Sequence, residues 1–174
     1  AFPIQHGDLL NIRDLEQGME QMKRLPSQTI DTKIEPGNAP DASVIRIERQ
    51  TGRLQDRLRW GLTVDNSGSQ TLGRGQLSSY FLIDNLAGLN DILSVSSNIN
   101  TSQPNSRHRS YGVATSYNIP WGYHSLNLSV NTNRFAQYVN GTTARFLSSG
   151  KSNLSDVQWN MLVWRTASTK FGIY

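Results

Sequence analysis

The side chains best suited to metal binding are the three histidines, His6, His108 and His124, which stand on three separate segments. They lack the His-x-x-x-His spacing that sets two imidazoles on one helical face. They read as solvated turn residues, and no metal is expected. Serine is abundant, yet there is no Gly-x-Ser-x-Gly elbow and no Asp or His spaced to complete a triad, so hydrolysis has no residues to carry it. Gly73-Arg74-Gly75 leads into a strand-like run, whereas a phosphate cradle needs a helix start behind its glycines, so it reads as a loop edge. The expectation is no enzyme, no cofactor and no nucleotide. With 17 Lys and Arg against 13 Asp and Glu, the basic excess is too small to argue for nucleic acid.

What remains are residues suited to contact with chains or lipid. Arg49, Arg53, Arg57 and Arg59 gather in one stretch, where they could meet acidic head groups or a passing chain, or simply solvate a linker. Met19 and Met22 could pack a core or line an adaptable groove, and their helical spacing favours the core. Trp60, Trp121 and Tyr123 are the candidate aromatics of a membrane–water interface.

Two kinds of element must position these residues. Ile12, Leu15, Met19, Met22 and Leu25 recur at spacings of three and four, which predicts a helix over 12–25 with one apolar face. Asn11 is placed to cap it, Asp14 and Glu16 suit its start, Lys23 and Arg24 suit its end, and Pro26 stops it. Gly18, mid-helix, implies that something packs closely there. Gln28 to Glu35 and Ser43 to Arg49 alternate as two strands about a Pro36-Gly37-Asn38-Ala39-Pro40 turn. A helix and a hairpin make a small α+β unit, too small to stand alone, and a polar linker is expected over 50–56.

From Leu58 the period becomes two. Leu58, Trp60, Leu62 and Val64 are separated by polar or small residues, and five further runs repeat the pattern as far as Val157, Trp159, Met161 and Val163, giving six strands. Most are about 9 to 13 residues long, the length of a tilted strand crossing a bilayer rather than of a soluble strand. The faces between, such as Ser94-Ser96-Asn98-Asn100, are polar but uncharged and suit a watery lumen. The 36% hydrophobic content therefore does not argue against a membrane, and with no run long enough for a helical span, only a closed barrel could satisfy its backbone in lipid. If the helix–hairpin unit lies on the inner side, the polar connections at 66–71, 101–109 and 138–153 fall outside as the longer loops and 85–91 and 120–123 fall inside as the short turns, a self-consistent topology.

Several segments resemble the outer-membrane transporters of two-partner secretion, the TpsB group that exports hemolysins, filamentous hemagglutinins and contact-dependent toxins. The motifs are Leu9-Leu10-Asn11-Ile12-Arg13-Asp14-Leu15-Glu16-Gln17-Gly18, Arg24-Leu25-Pro26-Ser27, Glu35-Pro36-Gly37, Asp65-Asn66-Ser67-Gly68 and Ile119-Pro120-Trp121-Gly122-Tyr123. The resemblance implies that residues 1–49 are the C-terminal part of a second POTRA domain in the periplasm. It also implies that residues 57–174 are the first six or so strands of a sixteen-stranded barrel in the outer membrane of a Gram-negative bacterium, and that the chain is a fragment. In that setting the Asn140-Gly141-Thr142 sequon is coincidence. The implied partners are outer-membrane lipid and a secreted exoprotein with an N-terminal secretion domain. The strand carrying Thr29, Ile30, Thr32 and Ile34, with Met19 and Met22 beside it, would receive that partner by β-augmentation. Alternation alone equally permits a passive porin or receptor barrel with a periplasmic appendage. A soluble all-β adhesin is a weaker reading, because its polar faces would lack a covering sheet.

Overall fold

A computed structural model describes residues 2–40, 42–69, 72–101, 109–166 and 168–174. The first helix, α1, runs over Ile12–Lys23 and starts as its sequence requires, with the Asn11 side chain accepting from the Arg13 N–H at 2.9 Å. A Cβ on Gly18 would run into the Phe2 ring, so the glycine makes room for that aromatic. Leu15, Leu25 and Ile30 are buried beneath α1, whereas Ile12, expected on the same apolar face, is 62% exposed because it lies at the helix start, beyond the reach of the hairpin.

Strands β1 (Gln28–Pro36) and β2 (Ser43–Thr51) pair antiparallel in an unbroken register from Gln28 with Thr51 to Pro36 with Ser43, closed by Gly37 N–H to Ala42 O at 2.8 Å. They form a sheet of two strands. The expected linker is more ordered than its polarity suggests: β2 runs to Thr51, and α2 (Leu54–Arg57) makes one turn, with the Asp56 carboxylate accepting from the Arg53 N–H at 2.7 Å.

The remaining strands form one antiparallel meander in sequence order, β3 (Leu58–Asp65), β4 (Gln76–Asp84), β5 (Ile92–Asn100), β6 (Arg109–Trp121), β7 (His124–Asn140), β8 (Arg145–Arg165) and β9 (Lys170–Ile173). The registers carry the alternation across the sheet. One row runs Leu58, Ile83, Leu93, Tyr117, Leu128, Val157, and all six belong to the apolar face. A row of the opposite face runs Thr63, Ser78, Asn98, Gly112, Asn133, Ser152. That polar face is concave: Thr63, Ser78, Ser96, Asn98, Asn131 and Asn133 line a hollow of about 330 Å³. Polar inside and apolar outside is the inverse of a soluble sheet and matches a barrel wall in lipid. Where hydroxyls do fall on the apolar face they satisfy each other, as Ser79 and Ser97 do at 2.8 Å.

Two expectations about this sheet change. There are seven strands among the described residues, the seventh being the four-residue β9. The polar stretch 138–153, expected as a loop, is largely strand: β7 and β8 continue to an Asn140–Arg145 pair, leaving only 141–144 as the turn. Hydrophobic alternation fades there because strand beyond the bilayer meets water on both faces, so the period that marks the rest of the wall has no cause. Of the expected outer loop 101–109, Arg109 begins β6, and residues 102–108, including His108, lie outside the described residues.

Candidate functional site

The helix–hairpin unit and the wall meet at one end of the sheet, where the 85–91 and 122–123 turns and the β8–β9 turn lie. Arg165, at the end of β8, donates through Nη1 to Gln17 Oε1 and Glu20 Oε2, both at 2.7 Å, and its side chain is only 11% exposed. Lys170 bonds the other Glu20 oxygen. Gln17 and Gln21 both donate to the Gly122 carbonyl, Arg24 donates to Asn118 Oδ1 at 2.5 Å, and Gln28 donates to Asn90 Oδ1 at 3.4 Å. The polar face of α1 is therefore spent on the wall, while its apolar face is spent on β1.

The charges at this junction are tuned by their partners. The Lys170 hydrogen bond holds the Glu20 carboxyl below its usual value against the opposing effect of burial, with Arg165 adding to the lowering. The Arg13 hydrogen bond does the same for Glu16. Burial, reinforced by donation from its hydroxyl to Asp14, pushes the Tyr123 phenol up to about 12. Tyr123 thus makes its polar contact with α1.

The two tryptophans singled out with Tyr123 in the sequence lie on the wall's apolar face. Trp60 stands beside Phe81 and is 61% exposed. Trp121 stacks on His124, with ring centroids 5.7 Å apart, and His124 stacks in turn on Trp159 at 5.5 Å. His124, read from sequence as a solvated turn residue, is the middle layer of an aromatic stack. Its partners sit 3 and 35 residues away: the β6–β7 hairpin pairs it with Trp121, and the β7–β8 register brings Trp159.

The arginine cluster is largely committed to internal bonds. Arg59 Nη2 meets Asp84 Oδ1 at 2.6 Å, with Asp84 fully buried; Arg57 donates to the Asp84 carbonyl at 3.0 Å and to the Asn85 carbonyl; Arg49 donates to Gln28 Oε1 at 2.8 Å. Head-group contact is not needed to explain them.

A residue that the sequence did not reveal is Asp91. It is fully buried, and it accepts from the N–H groups of Ala87 and Leu89 at 3.1 Å and from the Tyr117 hydroxyl at 2.9 Å. Burial pushes its carboxyl up, and these donors more than reverse that, leaving it below the usual carboxylate value. Asp91 is the hub of a turn in which Asn85 and Asn90 both take left-handed backbone (φ 55° and 60°).

In the hairpin unit, Met19 and Thr32 are brought together, the Thr32 hydroxyl reaching Met19 Sδ at 2.7 Å. Ile30 is buried at 6%, and Ile34 is 55% exposed. Thr29 is exposed and Met22 half-buried. Ile30 and Met19 therefore belong to the contact between α1 and β1; Ile34 shares the face of Ile30 but is exposed at the far end of the strand, and Thr29 is exposed on the opposite face. Among the described residues no group of His, Asp or Glu is arranged to hold a metal.

Residues 41–174 match the family model for the haemolysin secretion/activation proteins ShlB/FhaC/HecB, and residues 1–36 match a POTRA domain. The chain is similar to the outer membrane transporter CdiB-2 of Burkholderia pseudomallei, 36% identical over 99% of this chain and 29% of that protein. It is also similar to the hemolysin transporter protein HpmB of Proteus mirabilis, 34% identical over 70% of this chain and 21% of that one. The solved structure of CdiB from Escherichia coli superposes with a TM-score of 0.84 at 26% identity, covering 98% of this chain and 31% of the other. The chain spans less than a third of the length of these relatives. With a POTRA unit joined to antiparallel strands that carry an apolar face and a polar concave one, the chain belongs to the haemolysin secretion/activation family ShlB/FhaC/HecB, the outer-membrane transporters of two-partner secretion.

Proposed function

We propose that the transporter containing this chain captures one large exoprotein in the periplasm and passes it through the barrel lumen, with residues 1–49 as the end of the docking domain, 50–56 as the connection and 57–174 as the opening strands of the pore. The observation that carries this reading is the two-stranded β1–β2 sheet, whose outer edges pair with no other strand among the described residues, held rigidly beneath the wall by α1. An unpaired edge beside a helix accepts an extended segment by β-augmentation. Thr29 and Ile34 are the residues of β1 free to meet that segment, and Met19, Met22, Ile30 and Thr32 fix the angle at which β1 is presented. A cargo moving unfolded would travel past the Ser and Asn rows, which offer hydrogen bonds without charge. CdiB-2 and HpmB are named as transporters, the latter of a hemolysin, and a hemolysin, adhesin or contact-dependent toxin is the class of cargo that fits.

The test is secretion of the exoprotein encoded beside the gene, in cells carrying full-length transporter with Ile34→Pro or Ile34→Ala. Proline removes a backbone donor from β1, while alanine keeps it. Export is expected to fall about fivefold or more with proline and little with alanine, at equal barrel insertion, as the augmentation bond of about 1 kcal/mol made by that donor is lost. Equal export by both would remove β1 as the docking strand. Export that does not depend on the intact transporter at all would make the barrel a passive porin.

A further inference from the structure

Arg134 and Lys151 stand directly opposite one another across β7 and β8, and Tyr111 of β6 continues the row. Arg109, one row further from the α1 end, pairs with Ala136 and so shares their face. That face is the apolar one, as the parity with Val113, Val130 and Val157 shows. Like charges directly opposed in a ladder repel. No acid relieves them: between Ile92 and Tyr174 the sequence holds one carboxylate side chain, Asp156, and it pairs with Ser129 on the lumen face. The Arg134 guanidinium leans toward the Tyr111 ring at 5.9 Å, and its Nε is buried without a hydrogen-bond partner. Arg109, Arg134 and Lys151, with Phe135 and Leu147, line a groove of about 480 Å³.

The depth of this cluster identifies what it meets. Ten residues of each strand separate the Trp121–His124–Met161 row from the Tyr111–Arg134–Lys151 row. At about 3.3 Å per residue and a tilt near 40°, that is roughly 25 Å of height, the thickness of an outer-membrane apolar band. With α1 on the periplasmic side, the cations stand at the outer water interface, on the surface that lipid touches rather than in the lumen where cargo passes. Three cations there, unpaired by any carboxylate and standing above the apolar face of Val113, Val130 and Val157, fit an amphiphile with phosphate at its head and acyl chains below.

We infer that Arg109, Arg134 and Lys151 form a binding site for the phosphorylated glycolipid of the outer leaflet, with the phosphates of its head group between the three cations and an acyl chain descending along Val113 and Val130, which continue the same face toward the α1 end. The site depends on the orientation of the barrel and not on what the barrel carries.

The test uses full-length transporter folded in detergent and native mass spectrometry to count retained lipid. It is titrated with bisphosphorylated lipid A, with the same lipid stripped of both phosphates, and with inorganic phosphate as competitor. The bisphosphorylated lipid is expected to bind roughly tenfold or more tightly than the stripped lipid, and an Arg134→Gln, Lys151→Gln double variant is expected to lose a similar factor, as two cations near a charged surface would give. Arg134→Lys is expected to retain binding. Equal binding of the two lipids by the parent protein, which needs no variant to fold, overturns the inference. So does unchanged affinity in the double variant, and so does complete displacement by inorganic phosphate, which would mark a free-anion site.

Discussion

Arg165 holds the molecule together at the level of one side chain. It is nearly buried and bridges Gln17 and Glu20 at 2.7 Å, so Arg165→Ala strips two charge-assisted bonds from the junction. Because Glu20 is itself half exposed, the discounted cost is about 1–2 kcal/mol. Spin labels on α1 and β8 of the full-length transporter are expected to show a broader distance distribution in that variant. Acid should do the same to the parent. The Glu20 and Glu16 carboxyls lie below their usual value of 4.5, so their stabilising contribution is complete above that pH and is lost as the pH falls through the lowered folded values. A junction that holds unchanged well below pH 4 would show that these ion pairs do not fix α1. Residues with local partners were legible in the sequence: Asn11 caps two positions ahead, and Gly18 signalled a close neighbour that proved to be Phe2. Arg165 and His124 were not, because the groups that give them meaning arrive from other elements, and Asp91 was not, because its donors meet only once its own turn folds and β6 brings Tyr117.

At the level of elements, the wall was legible because lipid and water impose opposite demands on alternate residues, and Leu58, Trp60, Leu62 and Val64 record that demand directly. Its registers then followed, since a slip of one residue would turn every apolar side chain into the lumen. The outer parts of β7 and β8 were illegible for the converse reason. The 85–91 turn was visible as a short connection, but its chemistry was not. Asp91 fastens it through two backbone N–H groups and the Tyr117 hydroxyl, so Asp91→Ala takes the acceptor from three part-buried donors and is expected to cost about 1–2 kcal/mol, read as a lower temperature of barrel unfolding on heat-modifiability gels. Asp91→Asn should cost less, since its carbonyl oxygen still accepts. Equal stability of parent and Ala variant would mean that water reaches the turn and replaces the carboxylate.

For the molecule as a whole, the junction fixes which end of the wall faces the periplasm, and so fixes every connection. This chain has no cysteine of its own, so single cysteines report cleanly. In a full-length transporter otherwise free of cysteine, Thr142→Cys is expected to react with a membrane-impermeant maleimide on intact cells, and Ala87→Cys only after the outer membrane is opened. Labelling in the reverse order would invert the topology. The same orientation gives meaning to the length of β7 and β8. Residues 135–140 and 145–150 continue past the Tyr111 row, about 20 Å of paired strand standing clear of the bilayer. Among the described residues, that ribbon is the part that a phage tail, an antibody or a neighbouring cell would meet first. Sequence drift under immune or phage pressure should therefore concentrate around Asn140 and Arg145 and spare the Ser and Asn rows within.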